Sequence, residues 1–210
     1  MRALILVDIQ NDFLPGGALA VPAADQVVPV ANRLLERFSF VVATQDWHPP
    51  DHGSFASQHP GRQPGELLQL HGLPQILWPD HCVQGTWGAE FAPGLAIPRC
   101  AHVFRKGSDR DIDSYSGFFD NGRLRSTGLG EFLHAHGIRE LVFAGLATDY
   151  CVRFSVRDAI ELGFRVCVIE DGCRGVNLQP GDVERALQEM QDVGARRMTS
   201  AEAAGECGGG

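Results

Sequence analysis

Residues 140–170 read Glu140-Leu-Val-Phe-Ala-Gly-Leu-Ala-Thr-Asp-Tyr-Cys-Val-Arg-Phe-Ser-Val-Arg-Asp-Ala-Ile-Glu-Leu-Gly-Phe-Arg-Val-Cys-Val-Ile-Glu170. The stretch opens on an apolar run, Leu141–Ala144, with no polar alternation, as a strand buried on both faces requires. Val152, Val156, Ala159 and Ile160 then recur at a 3.6-residue period, and Gly163 is placed to end that helix. A second apolar run follows at Val166–Ile169. Strand, helix and strand in this order form a right-handed crossover between parallel strands.

The same rhythm extends to both sides. Ala3–Val7 and Phe40–Ala43 read as further buried strands, and Val103–Phe104 and Arg197–Thr199 as shorter candidates. Val27, Val30, Ala31, Leu34 and Leu35 share one helical face, with Pro29 tolerable in the first turn. Val183, Ala186, Leu187 and Met190 share another, and a short helix covers about Gly130–His136. The expected fold class is α/β: one doubly wound, mostly parallel sheet with helices on both faces. No linker or internal repeat interrupts it, so residues 1–204 are expected to form a single domain, with a disordered tail at 205–210. Residues 46–100 break the rhythm, holding eight of twelve prolines, all three tryptophans and five of eight histidines. Long irregular insertions in compact domains are usually functional.

Composition narrows the function. Eighteen basic and 26 acidic residues leave a formal charge of −8 without a basic stripe, which argues against nucleic acid or an anionic membrane as partner. No apolar run approaches the ~18 residues needed to span a bilayer. The run Ala3–Val7 meets Asp8 too early for a signal-peptide core, so a cytoplasmic location is expected. Six irregularly spaced cysteines (Cys82, Cys100, Cys151, Cys167, Cys173 and Cys207) do not suggest a disulfide framework. Seventeen of the basic residues are Arg; the single Lys is Lys106. An isolated Lys can mark a place where a compact point charge is needed, although chance also leaves one.

Ligands of open parallel sheets bind beyond the carboxyl ends of the strands, which singles out Asp8, Asp46, Lys106 and the turn Thr148–Cys151. With Thr148 as N-cap, Cys151 would lie at about the third helical position, where the dipole favours a thiolate and free N–H groups favour an oxyanion. Cys151 could equally be a small core residue, Asp8 a turn cap and Lys106 a surface charge. Asp8 follows an apolar strand, and desolvation there would suit it to act as a general base. Asp46 and His48 point the same way from an extended segment; with His81 they could hold a metal on one face. Ordinary loop polarity explains the same residues, and His59 and His71 read as solvated.

The string Asp8-Ile-Gln-Asn-Asp-Phe13 with Gly16-Gly-Ala-Leu-Ala-Val21 resembles the nicotinamidase branch of the isochorismatase-like cysteine hydrolases. Further matches follow in order: Thr44-Gln-Asp-Trp-His48-Pro, Trp78-Pro-Asp-His81-Cys-Val-Gln-Gly-Thr86, Lys106-Gly, Tyr115-Ser-Gly-Phe118 and Gly145-Leu-Ala-Thr-Asp-Tyr-Cys-Val152. Together they span about residues 2–200.

The resemblance implies an amidohydrolase that converts nicotinamide to nicotinate and ammonia through a cysteine thioester, and that also accepts pyrazinamide. It implies Asp8, Lys106 and Cys151 as catalytic residues and the N–H groups of Ala147 and Cys151 as oxyanion hole, with a cis peptide at Leu146–Ala147. Phe13, Leu19, Trp78, Tyr115 and Ala147 would line the substrate pocket. Asp46, His48 and His81 would bind one divalent metal that orients the pyridine nitrogen; zinc leads, with iron and manganese as alternatives. His52 and Ser54 stay outside this primary set, because relatives differ there. A homo-oligomer is left open. The main alternative is a related amidase for an N-carbamoyl or ureido substrate, and such relatives generally lack the Asp-x-His and His set. Two others are a catalytically silent binding member, and a metal-driven hydrolase in which Cys151 is only structural.

Overall fold

The computed structural model describes residues 1–96 and 102–206. Cys100, Cys207, the last residues of the expected insertion and the glycines 208–210 lie outside the described residues. The chain runs β1 (Arg2–Val7), α1 (Val27–Leu35), β2 (Val41–Asp46), a hairpin of β3 (Leu67–Leu70) and β4 (Leu73–Ile76), and β5 (His102–Lys106). It continues through α2 (Leu129–Ala135), β6 (Glu140–Leu146), α3 (Arg153–Glu161), β7 (Arg165–Arg174), α4 (Asp182–Asp192), β8 (Arg196–Met198) and α5 (Ser200–Glu206).

Six strands form one sheet in the order β5-β2-β1-β6-β7-β8, and every pairing in it is parallel. From β1 the chain winds outward through β2 to β5, then returns to β6 and winds the other way. The switch point therefore lies between β1 and β6, whose carboxyl ends open a crevice. The central strands are buried on both faces, which explains their unbroken apolar runs.

One apolar layer joins α1 and its neighbours to the sheet through Leu4, Leu6, Leu34, Ala144 and Ile169. The opposite layer joins α2, α3 and α4 through Ile5, Leu133, Phe143, Val156 and Met190. Each buried Val or Leu contributes roughly 1.5–3 kcal/mol. In α1 the predicted stripe is the buried one, and Pro29 sits in the first turn, where no backbone bond is lost. A close approach fixes one glycine: at Gly145, φ is +136° and a Cβ would fall 2.1 Å from the Val7 carbonyl oxygen.

Three expectations change. Gly205 and Glu206 belong to helix α5 rather than to a tail. The irregular region contains an antiparallel hairpin at 67–76, whose four-residue strands are, Gln75 apart, exposed or half-buried and so lack the buried apolar run of the main sheet. Strand β7 runs to Arg174, past the expected end at Ile169, with a register shift where Gly145 faces Cys173.

Candidate active site

Four strand ends carry the central cluster. Asp8 follows β1 directly, and its φ of +46° turns the chain sharply out of the sheet. Asp46 and Lys106 are register partners at the ends of β2 and β5. Cys151 follows β6. Asp8 is fully buried and Lys106 is 2% exposed, which removes the turn-cap and surface-charge alternatives.

Lys106 Nζ is the hub. It donates to Asp46 Oδ1 at 2.5 Å, to the Ser114 carbonyl at 2.9 Å and to Cys151 Sγ at 3.3 Å. These three contacts use all three ammonium protons. The Asp8 Oδ2 oxygen lies 2.9 Å from the same nitrogen as an ion pair. It has no hydrogen-bond partner, while Oδ1 accepts from Thr44 Oγ1 at 2.7 Å. Asp8, Asp46 and Cys151 each bring a donor atom within 4.8 Å of the others. Asp8 thus lies beside the thiol with one carboxylate oxygen engaged by Lys106 only as an ion pair.

Burial raises the Asp8 pKa and Lys106 pulls against it, with the net shift upward. For Asp46, burial also pushes up, but Lys106 and His48 outweigh it and hold the carboxyl ionised. Lys106 itself stays charged: burial disfavours the ammonium, but Asp46 and Asp8 more than compensate.

Cys151 differs from the sequence expectation of a stabilised thiolate. Burial pushes its thiol well above the usual range, and the Lys106 charge only partly offsets this. Thr148 is also not the expected cap. Ala147, in extended conformation, precedes a π-helical turn at Thr148–Val152, and the buried Thr148 Oγ1 has no hydrogen-bond partner. Val152 N–H donates to the Ala147 carbonyl five residues back, so Cys151 sits fourth in a wide turn rather than third in an α-helix. The peptide Leu146–Ala147 is cis.

Beside this cluster, Asp46, His48 and His81 bring ligand atoms within 4.8 Å of one another. His48 Nδ1 lies 2.8 Å from the Gly107 carbonyl, and His81 Nδ1 lies 2.8 Å from the Pro79 carbonyl. Because a carbonyl only accepts, each neutral ring carries its proton on Nδ1 and leaves its Nε2 lone pair for a metal. Gly107 is required by the first contact: its φ is +62°, and a Cβ would strike His48 Cε1 at 2.4 Å. Burial, with His48 adding to it, lowers the His81 pKa to about 4, so that imidazole is neutral at ordinary pH. Burial also disfavours charge on His48, but Asp46 reverses the shift and raises it. An ionised carboxylate with two Nε2 lone pairs fits a divalent cation.

His52, set aside in the sequence reading, is fully buried with its ring 4.3 Å from that of His48. Its Nδ1 meets Ser54 Oγ at 2.7 Å, and its buried Nε2 has no partner. His48, His52 and Asp113 form a second group of possible ligands within 4.8 Å. Of the histidines expected to be solvated, His71 is exposed, and His59 is half-buried with Nε2 at 2.8 Å from the Gly53 carbonyl. Cys82 and Cys173 are buried thiols outside any disulfide, and Cys167 is buried.

A cleft over Cys151 is lined by Phe13, Leu19, Trp78, Tyr115 and Ala147, together with Asp46, His48 and His81. The structure thus brings every pocket residue singled out in the sequence to one place. Trp78 Nε1 and Gln75 Nε2 both donate to the Tyr115 hydroxyl, at 3.1 and 3.0 Å, which fixes the aromatic wall. Asp113, Tyr150 and Val176 also line the cleft and were missed. Tyr150 stands edge-on to Trp78 at 4.8 Å. Its place next to Cys151 was a usable signal, and Val176 follows β7 as the strand-end rule would suggest. Asp113 has no such spacing cue; it is fixed by accepting from Gln75 Nε2 at 3.0 Å.

The family model for the isochorismatase domain matches residues 2–202. The chain is 56% identical over 205 residues to a nicotinamidase of Escherichia coli (strain K12), covering 96% of each chain. Among solved structures, a nicotinamidase pyrazinamidase of Acinetobacter baumanii superposes with a TM-score of 0.93 at 47% identity, covering 96% of this chain and 97% of that one. A pyrazinamidase of Pyrococcus horikoshii in complex with zinc superposes with a TM-score of 0.78 at 37% identity, covering 94% and 98%.

Proposed function

We infer, for a chain that belongs to the isochorismatase domain family, that it hydrolyses the carboxamide of nicotinamide to nicotinate and ammonia, with pyrazinamide as a second substrate. The observation that carries this reading is the contact of one buried ammonium, Lys106 Nζ, with Asp8, Asp46 and Cys151 at once. It joins a cysteine nucleophile and its base to a metal-ligand set in one crevice.

Asp8 Oδ2 takes the Cys151 proton as the sulfur attacks the carboxamide carbon, so a thiol with a raised pKa needs no standing thiolate. The C=O electron pair moves to oxygen, where the N–H groups of Ala147 and Cys151 hold the oxyanion. Collapse breaks the C–N bond, and Asp8 returns the proton to the departing nitrogen, releasing ammonia. Asp8 then takes a proton from water, whose oxygen attacks the thioester carbon. Nicotinate leaves, and the proton returns to Cys151 sulfur. Lys106 fixes both partners and keeps the site's charges paired. Phe13 and Trp78 border the flat ring, and Leu19 and Tyr115 close the pocket.

A divalent metal, zinc in first place, is assigned to Asp46, His48 and His81, and when bound it supplies an electrophilic contact that orients the pyridine nitrogen. This donor set disfavours the ureido or carbamoyl alternative. The same proposal treats residues 1–204 as one catalytic domain located in the cytoplasm. Among the described residues no helix is long and apolar enough to cross a membrane.

The test is ammonia release from nicotinamide by the purified, metal-loaded protein. Rapid release is expected. No release with Cys151 reduced and metal bound would transfer the pocket to another amide.

A further inference from the structure

We propose that the turn Gln10–Asp12 is the positioning element of the metal centre, holding two of its ligands from behind and joining them to the substrate wall. The proposal rests on the assignment of a divalent ion to Asp46, His48 and His81.

Gln10 is fully buried and spends its whole amide on the peptide of Asp46 and its surroundings. Its Oε1 accepts from Asp46 N–H at 2.8 Å, and its Nε2 donates to the Asp46 carbonyl at 2.8 Å and the Ala89 carbonyl at 2.9 Å. The β1–β2 ladder stops at Leu6 facing Ala43, short of Asp46. The Gln10 side chain takes the place of the missing strand backbone and fixes Asp46 on the side away from β5.

Asp12 does the same for the loop that carries His81. Its Oδ2 accepts from Cys82 N–H at 2.7 Å and its Oδ1 from Ala18 N–H at 3.2 Å. Cys82 has a left-handed φ of +46°, which that hydrogen bond secures. Gly88 packs so closely that a Cβ would lie 2.1 Å from Asp12 Oδ2. Between them, Asn11 Nδ2 donates to the Trp87 carbonyl at 2.7 Å. The next residue is Phe13, whose ring lies 5.6 Å from that of His81. One turn thus grips the Asp46 peptide, the His81 loop and the pocket wall, and none of its three polar side chains touches Cys151 or Lys106 in the contacts described above.

Two volume-conserving variants test this: Gln10→Met, which removes all three amide contacts, and Asp12→Asn, which cannot accept from both N–H groups in the same way. The readout is zinc affinity of metal-stripped protein by chelator competition, alongside the thermal midpoint without metal and the rate of Cys151 alkylation. Zinc affinity is expected to fall about 10–100-fold in each variant, as for groups that orient metal ligands. Cys151 alkylation is expected to stay at the wild-type rate. Wild-type zinc affinity in a folded variant, whatever its thermal midpoint, would overturn the proposal. Should Gln10→Met not fold, Asp12→Asn decides alone. Asp46→Ala serves as reference: if it binds zinc as tightly as wild type, the donor-set assignment itself fails and this proposal with it.

Discussion

The two halves of the site are built in different ways. Asp8, Lys106 and Cys151 sit on or just past regular strand ends, so parallel ladders set their spacing. His48, His81 and Trp78 sit in the irregular stretch between β2 and β5, held by side-chain-to-backbone contacts and isolated bridges such as His48 with Val83 and Phe55 with Trp78. The strand-end half is charged and, in the proposed reaction, carries the chemistry. The irregular half presents imidazoles and aromatic rings and, in the same proposal, selects what is bound. A sheet fixes the nucleophile, while a loop can change the ring pocket without disturbing it.

Substitutions can break this comparison. The largest effect is expected in the strand-end half. Asp8→Asn should lower kcat about 10²–10⁴-fold at every pH from about 6 to 9, because the amide cannot accept the thiol proton. Near-normal turnover would remove Asp8 from its role. Lys106→Arg comes next, with a loss expected near the lower end of that range, since a planar fork cannot replace a point charge contacting four groups. A wild-type rate would make the chain's only lysine a coincidence.

His81→Ala probes the irregular half. It should weaken metal binding and raise KM, while Cys151 alkylation proceeds as in wild type; a variant that lost thiol reactivity together with metal would show that the halves are not separable. The smallest effect is a displaced pH limb. Asp8 must be ionised to act, and its pKa lies above the ordinary carboxylate value of 3.8 because burial outweighs Lys106. Hence kcat/KM should fall on acidification with a midpoint above that value. A midpoint at or below 3.8 would contradict the burial argument.

The same division governs what the sequence made legible. Unbroken apolar runs and the 3.6-residue stripes were enough for the sheet and for α1, α3 and α4, since burial on both faces leaves no other pattern. Asp8, Asp46 and Lys106 followed from the strand-end rule. The chemical pairing of Asp8 with Cys151 became specific only through the family resemblance. His52 stayed outside the primary ligand set because relatives differ there, and nothing in its spacing shows that the chain folds its ring onto His48. Asp113 depends on a hydrogen bond from Gln75, 38 residues away. The helix-end argument for a thiolate at Cys151 leaves out desolvation, which pushes the thiol upward against the pull of Lys106.

The central claim is the thioester on Cys151, and partition to hydroxylamine tests it most directly. With nicotinamide as substrate and increasing hydroxylamine, nicotinohydroxamate should form in place of nicotinate while ammonia release continues, and both products should vanish in Cys151→Ala. Nicotinate as sole product at every hydroxylamine concentration, with Cys151→Ala still releasing ammonia, would mean that water attacks the amide directly and that Cys151 is structural.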